Sequence, residues 1–121
     1  MTSAEFDSGE PILKVVFYRS RAGSEPVREW LLSLNRANLK TIGQAVKTAQ
    51  YGWPLGMPLI RKLEPRLWEV RSLVTGGIAR VVFTVNGSVM VLLHGFVKKS
   101  QKMPAADLKT AQQRLAELDK E

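Results

Sequence analysis

Apolar and polar residues alternate most regularly between residues 67 and 104, and the rest of the chain is arranged around that stretch. LWEVRSLVTGGIARVVFTVNGSVMVLLHGFVKKSQKMP holds three runs rich in β-branched and aromatic residues, two turns and a lysine-rich exit. Asn86-Gly87 predicts a two-residue type I′ hairpin turn that pairs Val85 with Ser88, Phe83 with Met90 and Val81 with Leu92. With Thr75-Gly76 as the loop of the preceding hairpin, Val74 faces Gly77, Trp68 faces Phe83, Val70 faces Val81, and Arg71 faces Arg80. This register gathers Trp68, Val70, Val81, Phe83, Met90 and Leu92 on one face, whereas a slip of one residue scatters them over both. The other face carries Glu69, Arg71, Arg80, Val82, Val91 and Leu93.

The remaining elements read from the same patterns. Residues 12–18 (ILKVVFY) predict a strand. Ser24 is placed to cap a helix with Pro26 in its first turn, and Val27, Trp30, Leu31 and Leu34 follow at helical spacing. After a break over residues 35–38, Leu39, Ile42, Val46 and Ala49 continue a second helix ending near Gly52. The short linker predicts an antiparallel helical hairpin. Laid on the Trp68/Phe83 face, it leaves the arginine face open. Residues 53–58 (WPLGMP) are too rich in breakers for regular structure, and residues 59–66 form a basic lead-in to the central strands. Pro104 opens a last helix with Leu108, Ala111, Leu115 and Leu118 on one side. The expected fold is α+β in the order β-α-α-β-β-β-α, with a frayed acidic tail over residues 1–11 and a single domain over residues 12–121.

Charge narrows the function classes. Residues 14–103 hold fifteen Lys and Arg against four Glu, a net of +11 within a chain total of +7. The positive charge belongs to the folded body, which reads as a binder of polyanions with nucleic acid foremost, although solubility also accounts for a basic surface. The absence of cysteine excludes disulfides and thiolate metal sites, and one histidine makes no case for a metal, so no cofactor is expected. The cysteine-free composition fits the cytoplasm. No run reaches the length of a transmembrane helix, and the first residues lack a signal-peptide pattern.

Two arginines opposed in mid-sheet need a reason, because like charges at that spacing repel. Either Glu69 bridges Arg71 and Arg80 or both reach to water, or an anion such as a phosphate lies between them. Lys98, Lys99 and Lys102 leave the last strand beside that face, and Lys62 and Arg66 precede it. Phe96 is placed by alternation on the Trp68 side as a packing residue, with base stacking as its functional alternative. His94 falls by the same count on the face of Leu92 and Ala79, as a hydrogen-bonded histidine or, less simply, a catalytic base. Glu69 serves as counter-ion or in proton transfer. Trp30 and Trp68 read as core; Trp53, in the breaker-rich loop, reads as exposed to a partner.

The run Arg61-Lys62-Leu63-Glu64 before Leu67-Trp68-Glu69-Val70-Arg71, the Arg80 strand, and above all residues 92–104 (LLHGFVKKSQKMP) resemble the HigB-like, phage-related branch of the RelE/ParE toxin superfamily. The resemblance spans about residues 12–118, and Gly-Phe-x-Lys-Lys-x-x-x-x-Pro is its most specific piece. It implies a RelE-like sheet and the toxin of a type II toxin–antitoxin system, a metal-independent mRNA interferase that cuts mRNA in the ribosomal A site. It further implies a cognate antitoxin, and through it a complex on operator DNA. Such cleavage uses the 2′-hydroxyl as nucleophile. On this reading Arg71, Arg80, Lys98 and Glu69 are the catalytic candidates, and Lys62, Lys99, Lys102, Phe96 and Arg66 bind RNA. The general base is unassigned, a lysine among so many cations being one candidate. The antitoxin is expected to present acidic residues or a helix over or near Arg71, Arg80 and Lys98, or to block ribosome entry by bulk. A gyrase-inhibiting, ParE-like toxin and a non-catalytic nucleic-acid-binding module are the alternatives.

Overall fold

The computed structural model describes residues 10–120. It places β1 (Lys14–Phe17), α1 (Pro26–Leu32), α2 (Arg36–Gly52), β2 (Ile60–Glu64), β3 (Leu67–Val74), β4 (Gly77–Asn86), β5 (Val89–Lys98) and α3 (Ala105–Asp119) in that order. This is the expected α+β architecture with one strand more. The basic lead-in is itself an edge strand, β2, because Ile60 turns into the core while Arg61 turns out, and it pairs antiparallel with β3. The tail expected over residues 1–11 lies, for residues 1–9, outside the described residues.

The five strands run β1-β5-β4-β3-β2, with β1 parallel to β5 and every other pair antiparallel. The β3–β4 hairpin has the predicted register throughout, from Trp68↔Phe83 to Val74↔Gly77, with Arg71 opposite Arg80. The β4–β5 hairpin does not. Its turn residues are Gly87 and Ser88, with Asn86 paired to Val89 and Phe83 to Leu92. Only Gly87 takes a positive φ in this turn, 58°, so Asn86 stays in the strand rather than opening a type I′ turn. The displacement is two residues, so the predicted faces survive.

Further along β5 they do not. Phe83 pairs with Leu92 but Val82 pairs with His94, so Leu93 is the extra residue of a β-bulge. Beyond it, His94, Phe96 and Lys98 point to the arginine face, and Gly95 and Val97 to the other. The placements expected for His94 and Phe96 are therefore reversed.

Both faces of the sheet are covered. On the first, Val70, Val81, Phe83, Met90 and Leu92 pack against Val27 of α1 and Ile42, Val46 and Ala49 of α2. On the second, Leu67, Val82, Val91, Leu93 and Phe96 pack against Ala111, Leu108, Leu115 and Leu118 of α3. The arginine face expected to be open is thus roofed along much of its length by α3. The uninterrupted burial of β4 from Ile78 to Thr84 follows from this, and it takes Arg80 and Thr84 inside with the apolar residues. Trp53 also departs from expectation: it lies edge-on to Trp68 at 5.1 Å and to Phe83 at 5.7 Å and closes the first core.

Local chemistry fixes the helices. Glu25, not Ser24, is the N-cap of α1, and Glu29 accepts from the Glu25 backbone N–H at 3.2 Å; Ser24 bonds Ser20 instead. The break before α2 is only residues 33–35, because the Asn35 side chain accepts from Asn38 N–H at 2.8 Å and starts the helix at once. Buried Asn38 then grips the β3–β4 turn, donating to Thr75 O at 3.2 Å and accepting from Thr75 N–H at 3.1 Å.

Gly95 sets how closely α1 approaches the sheet. A Cβ there would lie 2.3 Å from Cζ3 of Trp30, inside van der Waals contact. Gly95→Ala should therefore destabilise the fold by about 1–3 kcal/mol, the range for overpacking, read as a lowered midpoint in urea. Trp30→Leu in the same chain should recover part of the loss; equal losses in the single and double variants would show that the indole does not make the clash.

Candidate functional site

Arg71 and Arg80 face each other across β3 and β4, and two residues before Arg71 on the same face stands Glu69. Its carboxylate lies between the guanidinium groups, with Oε1 3.5 Å from Arg80 Nε and Oε2 3.8 Å from Arg71 Nε. The space considered for a bound phosphate is occupied by the protein's own anion. Glu69 and Arg80 are both fully buried, at 0% exposure.

Arg80 has a further task. Its Nη2 donates to the carbonyl of Ser100 and its Nη1 to that of Lys102 at 3.5 Å, so it fastens the loop between β5 and α3 from beneath. Its guanidinium rests 5.7 Å from the centre of the Phe96 ring, and Phe96 in turn stacks on His94 at 5.4 Å. Phe96 is therefore a packing residue under the loop, and no base can reach it in this conformation. Arg71 secures the same loop at its tip, donating from Nη2 to Gln101 Oε1 at 2.7 Å. Its side chain is 14% exposed, and it borders an open cleft of about 440 Å³ with Gln101, Leu73 and Ile78.

Burial sets the charge states. Desolvation pushes the Glu69 carboxyl above the usual carboxylate range, against the opposing pull of Arg80, Arg71 and Arg61. The same burial lowers Arg80, and Glu69 offsets it. Arg61 is the cation missed in the sequence. It sits across from Glu69 in β2 and is exposed on the arginine face. Reading residues 60–64 as a strand with Ile60 inward would have placed it there.

The lysines divide. Lys98, 52% exposed, ends β5 with its Nζ 3.9 Å from Asp107 of α3. Lys99 and Lys102 are exposed on the loop that Arg80 and Arg71 hold. Lys62 stands apart: it pairs with Trp68 and its Nζ lies 5.7 Å from that ring, on the opposite face of the sheet. Arg66 is also remote, in the β2–β3 turn, where it binds Asp119 through two hydrogen bonds of 2.8 and 2.9 Å and ties down the end of α3. The set expected to bind RNA therefore separates, with Lys62, Arg66 and Phe96 outside the accessible cluster and Arg61, Arg71, Lys98, Lys99 and Lys102 in it.

His94 is engaged at both nitrogens. Nε2 meets Asp107 Oδ1 at 2.7 Å, and Nδ1 lies 3.4 Å from Arg114 Nη1, which also donates to Leu93 O at 2.8 Å. Because Arg114 can only donate, Nδ1 accepts and Nε2 carries the proton to Asp107. The histidine anchors α3 and offers no free lone pair. Asp107 and Arg114 were not singled out in the sequence, since a bulge had first to turn His94 towards them.

The profile of the family described as "Phage derived protein Gp49-like (DUF891)" matches residues 29–116, a span containing every residue of the accessible cluster. No curated protein shows a significant match to the chain.

Arg80→Met would free the Ser100 and Lys102 carbonyls and strand Glu69, so it should cost about 3–5 kcal/mol, as for one member of a buried ion pair. Because the Glu69 pKa is raised in the fold, its contribution to stability is fully present below its ordinary value near 4.5 and is lost as pH rises through the folded value. Stability measured in urea should accordingly fall relative to Glu69→Gln as pH is raised from acid to neutral. A constant difference would mean that the carboxyl titrates normally.

Proposed function

The chain belongs to the Gp49-like phage-derived family, a toxin-type family of the RelE/ParE kind, and from that premise we propose that it is the toxin of a type II toxin–antitoxin system and a ribosome-dependent mRNA interferase of the HigB-like branch. The observation that carries the reading is the accessible cluster of Arg61, Arg71 and Lys98, on the arginine face from β2 to the end of β5, with Lys99 and Lys102 in the loop that follows. Such a cluster suits a phosphodiester chain, whose charge demands cations at intervals.

In this mechanism the 2′-hydroxyl of one nucleotide loses its proton to water and attacks the adjacent phosphorus, negative charge builds on the non-bridging oxygens, and the bond to the 5′-oxygen breaks as that oxygen takes up a proton, leaving a 2′,3′-cyclic phosphate and a 5′-hydroxyl end. Arg71 supplies the guanidinium at that charge, and a fixed donor of this kind contributes most when it is already oriented. Gln101 and Glu69 orient it. Lys98, Lys99, Lys102 and Arg61 hold the strand on either side. Arg80 acts through the loop: by fastening the carbonyls of residues 100 and 102 it fixes where Lys99 and Lys102 emerge, and so is a positioning residue. The ribosome presents the codon and completes the site. The reaction takes place in the cytoplasm, where translating ribosomes are.

Translation of a reporter mRNA in a cell-free system, with 5′ ends mapped, tests this directly. Cuts should appear in translated and not in free mRNA, and Arg71→Ala should lower the rate by roughly a hundredfold or more while a thermal melt shows the fold retained. Relaxed or cleaved DNA in a parallel gyrase reaction, without mRNA cuts, would instead identify a ParE-like poison. Gel retardation alone would identify a binding module.

A toxin-type family implies a cognate antitoxin. Since Arg80 is buried, a partner that occludes the site must place its carboxylates on Arg61, Arg71 and the three lysines. Contact of that kind is screened over about 8 Å at physiological ionic strength. Affinity should therefore fall steeply from low to high salt; a salt-insensitive complex would place the antitoxin on apolar surface and make its effect one of bulk.

A further inference from the structure

Leu73 is 80% exposed although it lies on the same face as Arg71, two residues further along β3. It lines the cleft of about 440 Å³ whose other apolar surfaces come from Pro58, Leu59 and Ile78 and whose polar lining is Arg71, Ser72 and Gln101. A cleft of that size with apolar walls and a few convergent polar groups has the composition of a small-ligand site. The polar groups have a defined arrangement. Arg71 is a donor only, so the 2.7 Å bond from its Nη2 fixes the Gln101 oxygen towards the guanidinium and leaves the amide N–H groups free to donate elsewhere. Beyond the lining, Lys102 follows Gln101 in the loop, Lys99 leaves β5 against Gly77, and Arg61 faces Glu69 across β2 and β3, all three exposed. Apolar side chains and donors thus share one cleft on a cationic face.

We propose that this cleft is a nucleobase pocket: a base of single-stranded RNA rests against the adjacent side chains of Leu73 and Ile78, the Gln101 amide donates to an acceptor on its edge, and Arg71 meets the phosphate beside it. Gln101 is then a specificity-determining residue and Leu73 a contact surface for the base. The occupant follows from the charge around it, since an apolar ligand would not require a cationic face and a free phosphate would not require apolar walls. Base contacts specify while phosphate contacts position, so the two residues divide the labour: Arg71 acts on any sequence and Gln101 on the identity of one base.

The proposal rests on the nuclease reading for its biological sense, but its first test does not. Methyl NMR spectra of the 13C-labelled protein are recorded with the trinucleotides AAA, CCC, GGG and UUU and, as control, with ribose 5-phosphate. The Leu73 and Ile78 methyl signals should shift with at least one trinucleotide and not with the sugar phosphate, and Leu73→Ser should abolish that response. Shifts confined to the lysine-bearing loop, or equal shifts with ribose 5-phosphate, would overturn the pocket. The second test maps cut sites in translated mRNA for the natural chain and Gln101→Leu. The base preference at one position of the cut site should flatten severalfold in the variant, whereas Arg71→Ala lowers cutting at every site. An unchanged preference in Gln101→Leu would overturn the role of Gln101. If the natural chain cuts no mRNA yet its Leu73 and Ile78 methyls respond to RNA, the nuclease reading fails and the pocket stands.

Discussion

The buried contact between Glu69 and Arg80 is the constraint on which the working face depends. Two charges withdrawn from water repay their desolvation only where further hydrogen bonds complete their shells. Here the completion is one-sided: Arg80 spends both terminal nitrogens on the loop carbonyls at residues 100 and 102, while the Glu69 oxygens find no hydrogen bond among the described residues. The carboxylate is consequently held as an electrostatic centre for Arg71, Arg80 and Arg61 rather than as a hydrogen-bonding partner of any one. The pair converts a bare strand into a platform from which a basic loop is suspended at a fixed height.

The second determinant is the bulge at Leu93. Without it, His94 and Phe96 would face α1 and α2, and Gly95 would lie under α3. The extra residue puts the glycine beneath Trp30, where only a hydrogen fits, and delivers the histidine to Asp107 and Arg114. One inserted residue thus fits both layers of helix to the same strand. The layers are also joined at the sheet's end, where Asn38 of α2 holds both the N–H and the carbonyl of Thr75.

Much of this was legible from residue order. The β3–β4 register followed from Trp68, Val70, Val81 and Phe83, since a one-residue slip exposes them. The β4–β5 register did not, because an error of two residues keeps every side chain on its face and so leaves the hydrophobic pattern unchanged. The bulge was hidden for a related reason: Leu92 and Leu93 are both apolar, and either serves in either core. Gly95 within a strand was the one available hint. The arginines were found as a pair, but their partner was ambiguous. Whether Glu69 or an outside anion fills the gap depends on side-chain reach, which strand alternation does not encode. The roof over them was misjudged because the apolar side of α3, Leu108, Ala111, Leu115 and Leu118, was legible but does not by itself say which face of the sheet it covers. The role of the Gp49-like match is correspondingly narrow: it identifies the kind of protein and not the part of any one residue.

The parallel pairing of β1 with β5 joins Lys14 to Val89, so the first strand waits for 75 further residues before it has a neighbour. Contacts so distant in sequence delay folding, because the intervening loop must close before any gain returns. The Arg80-held loop and α3 come later still in synthesis. A chain still emerging from the ribosome therefore has its arginines but neither the lysine loop over them nor the helix that roofs them. For a protein whose proposed target is the translation machinery, the order of synthesis itself postpones activity: the cationic face comes into being only after the loop beyond β5 and α3 have followed the arginine strands out of the ribosome.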